Sequence, residues 1–182
     1  MSDMRNADNT STELKPTFFR RVLGWGRQLA LLILFSMVFS AGLDMWRGKD
    51  LPKDNLPDIS GISLQGESLD IAALSKDQAV LVYFWGTWCP VCNLVSPAVD
   101  ILAKTYPVVT VAMNSGADDK LVRYLKHKEY DFEVLNDSSN DIARDWSVQL
   151  TPTIMVFKGG ELKHYTTGFT SLPGMWWRML FA

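Results

Sequence analysis

Cysteine and histidine are scarce in this chain: 182 residues contain two of each. Two cysteines do not make the disulfide framework of a small secreted domain, which takes four or more. A chain of this length buries roughly two-thirds of its surface without one. A zinc site needs about four ligands, and the chain has only two histidines, His127 and His164. Excess charge is also missing. Eighteen Lys and Arg oppose 20 Asp and Glu, for a net charge of −2 with the signs mixed. No basic face for nucleic acid is implied. No internal repeat is present.

One long apolar run is present. Val22 to Leu43 reads VLGWGRQLALLILFSMVFSAGL, and Leu29 to Leu43 carries no charge. As a helix, these residues would span about 33 Å, enough for a bilayer core of about 30 Å. Arg27 lies one turn inside, where a long side chain can snorkel. Trp25 and Trp46 bracket the run at interfacial positions. The competing reading is a cleaved signal peptide ending near Ser40 or Gly42. The long polar lead favours an uncleaved anchor. Lys15, Arg20, Arg21 and Arg27 lie on the amino-terminal side of the neutral stretch, against Arg47, Lys49 and Lys53 on its carboxyl side. This bias favours a cytoplasmic amino terminus. The expected organisation is a cytoplasmic tail over 1–21, a single-pass transmembrane anchor over 22–43, a linker over 44–58, and one domain over 59–182. The linker is charged, and Pro52 and Pro57 stiffen it as a tether.

The domain alternates strands with helices. ISLQGESLDI (62–71) suggests a short hairpin. AVLVYFW (79–85) and PVVTVAMN (107–114) are continuous apolar runs, the pattern of strands buried on both faces. Residues 90–106 read as a helix kinked at Pro97, 118–130 as an amphipathic helix opening on two acids, and 138–147 as a shorter helix. TPTIMVFKGGELKHYTTG reads as a hairpin with a Gly-Gly turn. SLPGMWWRML reads as a last helix with Trp176, Trp177, Met179 and Leu180 packed inward. The order implies an α/β fold with a central mixed sheet flanked by helices. Tyr83, Met113 and Met155 are expected in the core. His127 is expected on a solvated helix, and His164 on an exposed strand face.

Both cysteines fall in FWGTWCPVCNLVSP (84–97). A Cys-x-x-Cys that opens a helix after a buried strand is specific chemistry. At a helix start, unpaired backbone N–H groups and the helix dipole favour a thiolate, here at Cys89. Pro90 suits the first turn, where no N–H is needed. Cys92 comes round one turn later, placed to attack a mixed disulfide on Cys89. Cys89 is therefore the expected nucleophile and Cys92 the resolving thiol. Trp85 and Trp88 are expected to form an aromatic shelf for docking. A purely structural bridge closing so short a loop would stabilise little. A copper(I) site on the two thiolates is a further alternative. Thr151-Pro152-Thr153 opens a later strand, where proline is tolerated.

These motifs together, WCPVC after a strand and a distant TPT before a hairpin, resemble the thioredoxin superfamily. FWGTWCPVC followed by Pro97 is similar to the membrane-anchored TlpA/ResA/DsbE branch, and most of all to its ScsD (suppressor of copper sensitivity) type. The resemblance spans Ile59 to Leu180, plus the anchor. It implies a thioredoxin-like fold and a cis-proline at Pro152 facing the cysteines. It also implies that Thr151 presents backbone groups to a substrate chain and that Pro90, Val91 and Thr151 tune the potential. The implied activity is extracytoplasmic thiol–disulfide exchange with partner proteins, as a reductase; an oxidase or isomerase on the same fold is the alternative. It implies a membrane protein as electron donor or acceptor, and no cofactor or metal beyond the cysteine pair. Two positions depart from the family. Tyr83 stands where thioredoxins carry a buried Asp. Val95 stands where many TlpA-like proteins carry Glu.

Overall fold

The computed structural model describes residues 25–28, 31, 32, 35 and 58–182. The chain divides into two compact units, Met1–Leu43 and Asp44–Ala182. In the first, the described residues are helical. The expected anchor over 22–43 lies largely outside the described residues, as do the tail over 1–21 and most of the linker. Among the described residues, no helix is long and apolar enough to cross a membrane.

The second unit is built on a five-stranded sheet in the order β5-β4-β3-β6-β7. Its strands are β3 (Val80–Trp85), β4 (Val108–Met113), β5 (Glu133–Asp137), β6 (Thr153–Lys158) and β7 (Glu161–Thr167). The β3–β4 and β4–β5 pairs are parallel; β3–β6 and β6–β7 are antiparallel. A separate antiparallel hairpin pairs β1 (Ser60–Ile62) with β2 (Ser68–Asp70). The helices are α1 (Ile71–Leu74), α2 (Cys92–Ala103), α3 (Asp118–Lys128), α4 (Asp141–Asp145) and α5 (Leu172–Leu180).

Every residue of β3 is buried, because the sheet is covered on both faces. Alternation sends Leu81, Tyr83 and Trp85 to one face, and Val80, Val82 and Phe84 to the other. On the first face they meet Val95, Val99 and Leu102 of α2, Leu121 and Leu125 of α3, and Met175 and Met179 of α5. On the second they meet Ile59, Ile71, Ala143, Trp146 and Val148. The expected α/β architecture is therefore present.

Three expectations need correction. The first concerns β5, which the sequence reading passes over. Its EVLND carries only two apolar residues, too few for a strand signal. The β1–β2 loop completes it: Leu64 N–H donates to the Val134 carbonyl at 2.9 Å. The Gln65 amide also bonds Phe132 O at 3.1 Å and Val134 N–H at 3.2 Å. A side chain thus caps an otherwise open sheet edge.

The second concerns α5. Met175 and Met179 are buried, while Trp176, Trp177 and Leu180 face outward. Apart from Arg178 the helix is apolar on nearly every side, so composition could not show which arc faces the core. The third is His164. It is half-buried rather than exposed, with Nε2 3.4 Å from the Phe181 carbonyl oxygen. His127 is exposed, and Tyr83, Met113 and Met155 are core, as the pattern suggests.

Candidate active site at the carboxyl end of β3

The chain leaves β3 at Trp85 and turns through Gly86, Thr87 and Trp88 to Cys89. The Cys89 N–H closes this turn on the Gly86 carbonyl at 3.1 Å. Gly86 is the one residue type that fits. A Cβ there would lie 2.6 Å from Trp88 Nε1 and 3.2 Å from the Met113 carbonyl oxygen. The absence of a side chain lets the Trp88 indole fold back and donate to that same carbonyl at 3.0 Å. Ser115 completes the brace: its Oγ accepts the Thr87 N–H and donates to Met113 O, both at 3.0 Å. Sequence reasoning missed Gly86 and Ser115 as supports. Gly86 left a signal, a lone glycine between a buried strand and the cysteines. Ser115 left none.

Cys89 and Cys92 are joined as a disulfide with Cα atoms 5.3 Å apart. Regular helix begins at Cys92 rather than at Pro90, so Cys89, Pro90 and Val91 form the turn leading into it. The Cys92 N–H points back at Cys89 Sγ at 3.1 Å. An amide at a helix start, aimed at one sulfur, favours negative charge on that sulfur when the bond is reduced. Asn93 adds a tie from its side-chain amide to the Cys89 carbonyl at 3.5 Å, and Tyr124 of α3 donates to Asn93 Oδ1 at 2.9 Å. Pro97, inside α2, cannot donate to the Asn93 carbonyl.

Beneath α2 lies Tyr83. Its hydroxyl is 3.0 Å from Ser96 Oγ and 3.5 Å from the Cys92 carbonyl oxygen. Burial pushes its phenol well above the ordinary tyrosine range, and the Ser96 hydrogen bond only partly opposes this. Tyr83 therefore stays protonated and acts as a hydrogen-bond donor, not as a base. Val95 is fully buried in the same layer.

The Thr151–Pro152 peptide bond is cis. Antiparallel pairing of Phe84 with Thr153 brings this bond to the end of the sheet where β3 leads out to the cysteines. The Pro152 carbonyl is held by the Gly168 N–H at 2.8 Å, and Thr153 Oγ1 donates to the Leu150 carbonyl at 2.7 Å. Thr151 is half-buried and Pro152 buried.

The expected aromatic shelf is only half present. Trp85 is wholly buried and donates Nε1 to Thr110 Oγ1 at 3.0 Å. Alternation along β3 forces it inward, the same way as Tyr83. Trp88, beyond the strand, is 57% exposed. The apolar rim instead comprises Trp88, Val91 and Leu94 on the cysteine side. Leu150 and Phe169, both exposed, flank the cis-proline side. Neither of the last two was legible, because neither sits in a motif.

The chain matches the AhpC/TSA family over residues 52–166. It belongs to that family. The AhpC/TSA-family chain is 37% identical over 155 residues to a thioredoxin-like protein of Haemophilus influenzae, covering 85% of this chain and 92% of the relative. Its fold resembles the exposed lipoprotein thioredoxin of Streptococcus pneumoniae strain TIGR4. That match has a TM-score of 0.62 and 23% identity, and covers 69% of this chain and all of the other. It also resembles a secreted Mycobacterium tuberculosis disulfide oxidoreductase homologous to E. coli DsbE. There the TM-score is 0.59 with 20% identity, covering 68% and 96% of the two chains. The AhpC/TSA-family chain is accordingly a thioredoxin-like thiol–disulfide oxidoreductase with Cys89 and Cys92 as its close cysteine pair.

Proposed function

We propose that this oxidoreductase works as a protein disulfide reductase, anchored by 22–43 with its 59–182 domain outside the cytoplasm. The observation that carries the chemistry is the Cys92 N–H aimed at Cys89 Sγ. It makes Cys89 the better thiolate and so the attacking sulfur. The Cys89 thiolate attacks a substrate disulfide, forming a mixed disulfide and releasing one substrate thiolate. The Cys92 thiolate then attacks Cys89 Sγ, releasing the second substrate thiolate. The substrate gains two electrons and the pair ends as the observed disulfide. The turn at Thr151–Pro152 offers backbone groups to the substrate chain, and the apolar rim takes its side chains. Pro90 and Val91, in the turn between the sulfurs, tune the potential.

The exchange needs no cofactor beyond the pair. It does need a membrane protein that returns electrons to it, since the space outside a bacterial cytoplasm is oxidising. The neutral run over 29–43 and the basic residues before it support this placement. The likeness to the copper-sensitivity-suppressor type nominates a protein oxidised under copper stress as the first substrate to test.

Acid quenching of cells followed by thiol alkylation reads the resting state of the pair. A reductase is found mostly as the dithiol. A pair found mostly oxidised, with its membrane partner intact, sinks the reductase assignment in favour of an oxidase. In the same cells, Cys92→Ala traps substrates on Cys89 as mixed disulfides.

A further inference from the structure

The outward arc of α5 carries no polar side chain. After Ser171, the exposed positions are Pro173, Trp176, Trp177, Leu180 and then Phe181 just past the helix end. The last four are 48%, 58%, 47% and 59% exposed. Trp177 and Phe181 rest on each other with ring centroids 4.0 Å apart, so the face is preformed. Nothing in the exchange chemistry uses it.

Its position in the fold suggests an occupant. The carboxyl end of α5 is tied to the β6–β7 turn: Lys158 Nζ donates to the Ala182 carbonyl at 3.0 Å. That turn is at the opposite end of β6 from Pro152. A six-residue strand separates the two ends by about 17 Å. The chain also enters the domain at the turn end, where Asp58 and Ile59 line a cleft with Phe157 and Gly160. Residues 44–58 then allow a reach of at most about 50 Å from the end of the apolar segment. The carboxyl end of the aromatic face and the tether thus share the end of the domain away from the disulfide.

We infer that the Trp176, Trp177, Leu180 and Phe181 face docks on the phospholipid interface of the membrane that holds the chain. This rests on the anchoring proposed above. Tryptophan and phenylalanine beside leucine, on one arc of a helix, are the side chains that settle at the headgroup–acyl boundary. The tether keeps that boundary at high effective concentration, so a modest intrinsic affinity suffices. The neighbouring charges are mixed: Arg178, Lys158 and Lys163 stand against Asp58 and Glu161, and Glu161 is paired with Lys163. Apolar insertion, not attraction to anionic lipid, drives the contact.

The test uses the full chain in phosphatidylcholine vesicles whose acyl chains are brominated, with tryptophan emission as the readout. Four of the seven tryptophans would reach lipid depth, namely Trp25, Trp46, Trp176 and Trp177. The double variant Trp176→Phe/Trp177→Phe is then expected to lose about half of the quenched intensity. The expected quenching persists in high salt. Equal quenched intensity in both chains overturns the docking.

Extraction with alkaline carbonate reads the anchor separately. A chain that resists extraction but shows no quenching at Trp176 and Trp177 keeps its anchor and loses the docking. A released chain that still floats with vesicles at neutral pH, and stops floating as Trp176→Ser/Trp177→Ser, docks without an anchor. A chain that neither resists nor floats refutes both. If quenching is absent and the Ser variant abolishes a dimer seen in detergent, the face joins two copies and the lipid proposal is wrong. Disulfide exchange in detergent serves as the folding control for each variant.

Discussion

The active-site rim and the outward arc of α5 both display tryptophan, but they hold it differently. At the disulfide end, Trp88 is fixed from two directions: its Nε1 bonds the Met113 carbonyl, and the bare backbone of Gly86 makes room for its ring. On α5, Trp177 stacks on a neighbouring ring, that of Phe181. An aromatic pinned by a hydrogen bond shapes a surface beside reacting atoms. One stacked only on a neighbour is free to exchange water for another apolar phase. Exposure alone does not tell these two surfaces apart; the polar ties do.

That contrast can be broken experimentally. The largest effect is expected inside α5, where Met179 is buried under the outward tryptophans. Met179→Ala should cost about 2–5 kcal/mol in denaturant unfolding. Trp177→Ser, two positions earlier, should stay within about 0.5 kcal/mol. Equal costs for the two would mean that the outward face is in fact packed.

A smaller loss is expected at the disulfide end. Gly86→Val forces the Trp88 ring off the Met113 carbonyl and should cost about 1–3 kcal/mol. It should also slow insulin disulfide reduction. A variant that loses stability with unchanged turnover would show that pinning Trp88 serves the fold alone.

The smallest effect is at Tyr83. Tyr83→Phe removes a buried hydroxyl bonded to Ser96 and should cost about 1 kcal/mol at neutral pH. Because burial raises the folded-state pKa, the folded chain keeps its phenol proton where the unfolded chain releases it. Stability from this group is therefore full below about pH 10, the unfolded tyrosine value, and falls above it. The gap between wild type and Tyr83→Phe should narrow in denaturant titrations above that pH. A constant gap would mean that Tyr83 titrates like an exposed tyrosine.

Much of this was legible beforehand, for local reasons. The runs AVLVYFW and PVVTVAMN announced strands covered on both faces, and they are β3 and β4. The Gly-Gly turn announced the β6–β7 hairpin. The cysteine spacing placed both sulfurs at one helix start, because a helical turn returns after three to four residues. Where the pattern was weak, the reading failed. β5 has two apolar residues and depends on Gln65 from a distant loop. Trp85 looked like a partner of Trp88, yet the pleat of β3 turns it into the core.

Chain order and residue type alone determined the redox chemistry: two cysteines one turn apart after a buried strand, and a proline opening a later strand. These are short-range facts of spacing and backbone. Only the tertiary structure decided which tryptophan stays exposed beside the cysteines and which arc of α5 faces outward. It also decided that the Tyr83 hydroxyl meets Ser96 and reaches the Cys92 carbonyl. Each of those depends on what packs against the residue from elsewhere in the chain, and burial of that kind leaves no mark in local sequence.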